Sequence, residues 1–212
     1  MGIARIGTVH VSCVFMSMES DDQLGAGLVY EDLVPMRWRK VDNIQAAQLV
    51  RMNEANEEIL RFISVLDDYH AESAGEARGS STGDINRIEY KLNLLLDLVS
   101  QILVHHVELP PVIPIKMSAN GVQWLSKERL QPGQIIFLDI YFYHNYPRPI
   151  VLAGKVQNVN EAGGAYDTEV SFEHMSDVVR RWLDKLIFRQ HRRGVALSRR
   201  QSLDDDPDTA AE

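Results

Sequence analysis

The sequence predicts an α+β protein: a small β-barrel with a C-terminal helix and a pair of long helices ahead of most of the barrel. Three observations carry that reading. Between residues 42 and 107, apolar side chains recur at alternating spacings of three and four, the mark of helices that share a seam. From Val112 to Met175 the pattern changes to short β-rich runs broken by Pro, Gly and Asn, as in a small barrel. After Ser176 the helical spacing returns.

The elements follow in chain order. The opening "MGIARIGTVHVSCVF" has one early arginine and a short apolar stretch, the outline of a signal peptide, but Gly7 and His10 interrupt it. Residues 1–27 are expected to be a disordered extension, with translation starting at Met16 or Met18. Segment 28–41, "LVYEDLVPMRWRKV", reads as a strand that joins the barrel. Pro35 has no N–H for a ladder, so the segment is expected to be an edge strand or a strand with a break.

Residues 42–107 read as a helical, heptad-patterned region. Its first helix, "DNIQAAQLVRMNEANEEILRFISVLDDY", has no Gly or Pro, with Asp42 or Asn43 as N-cap. Its seam is Leu49, Met52, Asn56, Ile59, Ile63 and Leu66. The stretch 71–83, "AESAGEARGSSTG", has the composition of a flexible linker. The second helix, 84–107, capped by Thr82 or Asp84, would run about 36 Å at 1.5 Å per residue. Ile85, Ile88, Leu92, Leu95, Val99, Ile102 and His106 keep the spacing. Leu94, Leu96, Leu98 and Leu103 widen the apolar face, so this helix needs cover on several sides.

Residues 108–200 hold the rest of the barrel and the C-terminal helix. "ELPPVIPI" stops the helices, because proline cannot continue them. "IKMSANGVQWLS" reads as a hairpin, and "QPGQIIFLDIYFYHNYPRPIVLAGKVQNV" as two strands joined by a turn at 144–149. "AYDTEVSFEHM" is a further strand. Ser176 caps a helix from Asp177 to Arg193 or beyond, whose buried face is Val178, Val179, Trp182, Leu183, Leu186 and Ile187. Residues 201–212 are expected to be a disordered acidic tail.

Composition limits the function. The chain has 212 residues, 45% of them hydrophobic and 25% charged, the balance of a globular protein. A net charge of −8 argues against bulk nucleic-acid binding, which neutralises phosphates with Lys and Arg. Cys13 is the single cysteine, so no disulfide framework or cysteine zinc site is expected, which suits a cytoplasmic protein. No apolar run is long enough to span a bilayer. Adjacent His105 and His106 point to different helix faces and cannot chelate one metal. There is no nucleophile elbow, phosphate loop or metal-ligand spacing, so no enzyme is expected.

The turn "KMSANGVQW", the runs "LQPGQIIFLDIYF" and "AGKVQNV", and the closing "EVSFEHMSDVVRRWLDKLIFRQHRR" resemble a PilZ domain. The resemblance covers residues 112–193 and implies a six-stranded barrel followed by a helix, with the long helices as an insertion. It also implies a bacterial signalling protein that binds cyclic di-GMP through two motifs: an Arg-x-x-x-Arg segment and an Asp/Asn-x-Ser-x-x-Gly turn. Arginine forks match guanine O6/N7 and phosphate oxygens. A carboxylate or amide oxygen accepts from guanine N–H groups, and glycine permits a tight turn.

Both motifs depart from that pattern. Ser118 and Gly121 match the turn, but Lys116 stands at the acidic position and offers only donors. Arg37 and Arg39 are two residues apart, on one strand face about 6.8 Å from each other. The expected cyclic di-GMP residues are therefore Arg37, Arg39, Ser118 and Gly121, in a site read as degenerate. Otherwise Ser118 and Gly121 mark a β-turn needing a small residue and a positive φ, and the arginines lie on a solvated strand. No cofactor is expected, and cyclic di-GMP only as a weak ligand.

The favoured reading is a non-enzymatic adaptor that self-associates through its heptad helices, as a tetramer, and acts on an unidentified protein partner. The helices resting on their own barrel is the other reading of the seam. Asn56 on that seam is expected to fix register, so Asn56→Leu should raise stability and blur the oligomeric state. Two further readings stay open: a working cyclic di-GMP receptor of altered geometry, and a scaffold whose basic C-terminal helix (Arg180, Arg181, Lys185, Arg189, Arg192, Arg193, Arg199 and Arg200) binds nucleic acid.

Overall fold

The computed structural model describes residues 28–73, 88, 91–92, 95, 98–99, 107–143 and 148–204, with side chains described outside 65–73, 193 and 195–204. Six strands close into one antiparallel barrel: β1 (Tyr30–Lys40), β2 (Val112–Met117), β3 (Gly121–Ser126), β4 (Ile135–Ile140), β5 (Ile150–Ala162) and β6 (Ala165–Glu173). The order around the barrel is β1-β2-β3-β6-β5-β4. Two helices accompany it, α1 (Ala46–Ser73) and α2 (Asp177–Asp204). The expected α+β architecture is present.

Strand β1 closes the barrel by changing partners halfway. Tyr30 to Pro35 pair with β2, and Met36 to Lys40 pair with β4. Pro35 sits at the handover. Its carbonyl accepts from the Tyr141 N–H at 3.0 Å, while the Met36 N–H reaches the Pro111 carbonyl at 3.3 Å. The segment is thus no edge strand, because the missing N–H falls where one neighbour is exchanged for the other.

The strand period of two sorts the walls. Ile115, Met117, Val122, Trp124, Leu138, Ile140 and Val170 fill the interior and are fully buried. Each such aliphatic or aromatic side chain contributes about 1.5–3 kcal/mol on burial. The β5–β6 hairpin turns at Gly163 and Gly164, with φ of 58° and 87°, the left-handed pair that a two-residue turn requires.

Helix α1 begins three residues after Asn43. The Gln45 carbonyl accepts the first N–H groups, from Gln48 and Leu49, so neither Asp42 nor Asn43 is the cap. It runs to Ser73, into the stretch read as linker, whose residues 74–83 lie outside the described residues. Two asparagines dock it. The Asn56 amide donates to the Val151 carbonyl at 2.6 Å, and its Oδ1 accepts from the Val151 N–H at 2.9 Å. One turn earlier, the Asn53 amide donates to the His174 carbonyl at 2.9 Å, and its Oδ1 accepts from the Ser176 N–H at 2.9 Å. Asn56 therefore does not stand on an intermolecular seam: it clamps the helix to β5.

Ser176 caps α2 as expected, its hydroxyl accepting from the Val179 N–H at 3.2 Å. Val179, Leu183, Leu186 and Ile187 are buried in one core cluster with Ile59, Leu60 and Ile63 of α1. The Arg189 guanidinium adds bonds to the Ser64 carbonyl and hydroxyl at 3.3 and 3.2 Å. Helix α2 continues to Asp204, past the point where the acidic tail was expected to begin. Residues 1–27, 144–147 and 205–212, with the extension, turn and tail expected there, and both His105 and His106, lie outside the described residues.

Candidate functional site

The turn between β2 and β3 is built by its own hydrogen bonds. The Ser118 N–H donates to the Gly121 carbonyl at 2.9 Å, and the Ser118 hydroxyl accepts from the Asn120 N–H at 3.1 Å. Asn120 then ties the turn to its surroundings. Its carbonyl accepts from the Phe172 N–H at 2.7 Å, and its Oδ1 from the Arg180 guanidinium at 2.7 Å. Gly121 is required by closeness rather than by φ, which is not in the left-handed region. A Cβ there would lie 2.4 Å from the Val170 carbonyl oxygen on β6. Both residues thus help to hold the barrel.

Lys116 lies on the outer wall just before that turn. Its ammonium is 3.4 Å from the Glu31 carboxylate, and the register puts it opposite Glu31 on β1 and Gln123 on β3. Next to it the Gln123 amide donates to both Asp167 oxygens, at 3.0 and 2.9 Å. The Asn158 amide donates to Glu169 at 2.8 Å. Lys116, Gln123, Asp167 and Glu169 are each 9% exposed or less. Burial holds the Asp167 carboxyl above the usual carboxylate range, with Gln123 and Lys116 pulling the other way. The position that would present an acceptor to guanine is thus a lysine committed to a carboxylate, within a ladder of paired polar groups. Of this ladder only Lys116 stands out in the sequence. Its signal is alternation: Gln123 between Val122 and Trp124, and Asp167 and Glu169 on either side of Thr168, all point outward.

The arginines lie elsewhere. Tyr30 pairs with Met117 beside the turn, and Arg37 is seven residues further along β1, roughly 24 Å of extended strand. Arg37, Arg39, Ser118 and Gly121 therefore do not gather around one ligand. Arg37 donates to Asp139 at 2.8 Å, and that bond raises its pKa. The other oxygen of Asp139, Oδ1, is buried with no hydrogen-bond partner among the described residues. Arg39 lies over the Phe137 ring, 4.7 Å from its centroid. The two guanidiniums share a strand face, as expected, but each has its own partner.

The expected oligomerisation residues divide into two groups. Ile59 and Ile63 are buried inside the protomer with Asn56, and Leu49 and Met52 are half-buried on α1. The apolar face they form is covered by the chain's own barrel and by α2, which removes Asn56, Ile59 and Ile63 from any intermolecular seam. By contrast, Ile88, Leu92, Leu95 and Val99 are helical and 52–65% exposed. The side chains of Leu66, Ile85 and Ile102 lie outside the described residues.

On the basic C-terminal helix, besides Arg180 and Arg189, Lys185 stacks on Trp182 at 4.6 Å and Arg192 on Phe188 at 5.8 Å. Among the described residues no group of three His, Cys, Asp or Glu side chains is placed to hold a metal ion. Among them, too, no helix is long and apolar enough to cross a membrane.

Comparison with known proteins agrees with this geometry. No curated protein matches the chain. Among solved structures, a pathogenic protein from Xanthomonas campestris is similar, with a TM-score of 0.69 at 20% identity. The match covers 86% of this chain and 98% of that one, and the relative is described as a new tetrameric PilZ domain self-assembled via an unusual helical bundle. The profile of the family described as "Atypical PilZ domain, cyclic di-GMP receptor" matches residues 60–200. With its barrel, its β2–β3 turn and its capped final helix, the chain belongs to the atypical PilZ domain family.

Proposed function

We propose that this protein is a non-enzymatic, cytoplasmic adaptor of cyclic di-GMP signalling that assembles through its second inserted helix and acts by binding a protein partner. The observation that carries this reading is the row Ile88, Leu92, Leu95 and Val99, at heptad spacing and 52–65% exposed in the protomer. Apolar side chains repeated along a helix in this way need cover that leaves water behind. The relative that assembles as a tetramer through a helical bundle supports a bundle of four here.

The nucleotide site is degenerate on this reading. Lys116 brings donors where guanine has donors, and it is held by Glu31. Light scattering across a hundredfold range of concentration should give one tetrameric species, and a concentration-independent monomer rejects the assembly. Calorimetry with cyclic di-GMP should show no binding in the micromolar range. Micromolar binding that disappears in Arg37→Ala would establish instead a receptor of altered geometry.

A further inference from the structure

Helix α1 does not lie flush on the barrel. Between its first half and the β1–β4–β5 wall is a cleft of about 390 Å³, within the range of small-molecule sites. Three separate segments bring an arginine to its lining: Arg39 from β1, Arg51 from α1, and Arg148 just before β5. Gln48 adds an amide, and Met52, Ala55 and Pro149 supply an apolar surface. Among the described residues no Asp or Glu lines the cleft, although the chain as a whole carries a net charge of −8.

The cations are available. Arg39 is stacked on Phe137, which fixes its plane without neutralising it. Arg51 donates to the Ala47 carbonyl at 3.4 Å, a contact that leaves its charge uncompensated. Arg148 reaches Glu58 only at 4.0 Å, with both side chains at least half exposed, where such a pair contributes little. The cleft is also rigid. Asn56, which lines it, holds α1 to Val151 through two hydrogen bonds, so the distance from helix to sheet is set before anything binds.

We infer that this cleft binds a small phosphorylated molecule, of mononucleotide or sugar-phosphate size. Guanidinium forks match phosphate oxygens two at a time, and three of them exceed what a single carboxylate can accept. The apolar surface of Met52, Ala55 and Pro149 receives the organic part of the ligand. The site is separate from Ser118 and Gly121 in the β2–β3 turn, and of the expected cyclic di-GMP residues it contains Arg39 alone.

The test uses the full chain and two probes, sodium pyrophosphate and guanosine 5′-monophosphate, by calorimetry and thermal shift. Both should bind with sub-millimolar affinity, raise the melting temperature, and weaken as salt is added. Arg51→Gln and Arg148→Gln should each weaken binding about tenfold, the scale of a lost charge-assisted bond. Both residues are exposed, so the variants should keep the wild-type circular dichroism spectrum. Arg61→Gln serves as control, because Arg61 pairs with Glu57 outside the cleft. Absence of binding by both probes overturns the inference, and so does equal affinity in wild type, Arg51→Gln and Arg148→Gln.

Discussion

Two stretches of this chain carry the same apolar rhythm and meet opposite fates. In α1, Asn56, Ile59 and Ile63 turn inward and are covered by β5 and α2. Further on, Ile88, Leu92, Leu95 and Val99 keep the same spacing and stay exposed in the protomer. Periodicity reveals that a helix has an apolar face, but not what covers it. The deciding residues in α1 are polar. Asn53 and Asn56 each bind both groups of a distant backbone segment, which only a particular docking against this barrel can satisfy.

Four substitutions sharpen the contrast, in decreasing order of their effect on the folded protomer. Ile63→Ala should cost about 2–5 kcal/mol, the range for emptying a packed aliphatic site, with oligomer size unchanged. A change of oligomer size at constant protomer stability would put Ile63 on the intermolecular seam after all. Asn56→Leu leaves the N–H and C=O of the half-buried Val151 without their helix partner, at about 1–3 kcal/mol in all. It should therefore lower the melting temperature, the reverse of what the seam reading expects. Leu95→Glu should move protomer stability by no more than about 0.5 kcal/mol. In light scattering, however, it should break the assembly, and an intact tetramer would remove this row from the interface.

The smallest effect concerns pH. Burial raises the Asp167 pKa above its ordinary value. A carboxyl of that kind adds stability that is full below its unfolded pKa and is lost as pH rises through its folded pKa. Asp167→Asn removes this dependence, so the variant should gain on wild type as pH climbs from the acid side toward neutral. Parallel melting curves across that window would show that Lys116 and Gln123 cancel the effect of burial.

Most of the architecture was legible in the sequence. The prolines of "ELPPVIPI", the alternation in β2 to β6 and Ser176 ahead of an apolar helical face each act locally, and local signals survive in a single sequence. What was hidden depends on residues far apart. Nothing near Pro35 tells that β1 has two neighbours, and nothing near Asn56 tells that its partner is Val151. The candidate site divides the same way. Ser118 and Gly121 were visible because a turn is local. Arg51 and Arg148 were not, because their meeting with Arg39 requires α1 to be docked. The expected positive φ at Gly121 failed for the same reason, since its constraint comes from Val170 across the ladder.

Strand β1 precedes α1 in the chain, and the other five strands follow it. Its Arg37 meets Asp139 across 102 positions of chain, whereas β2 with β3, β4 with β5, and β5 with β6 are neighbours in sequence. Closing the longest loop costs the most chain entropy, so the local hairpins are expected to assemble first and β1 to join them last. Substitutions confined to β1 should then speed unfolding and leave refolding nearly unchanged in stopped-flow kinetics. In that order of assembly the edges of β2 and β4 would stay open to a strand from any source, including the β1 of another copy, until β1 arrives.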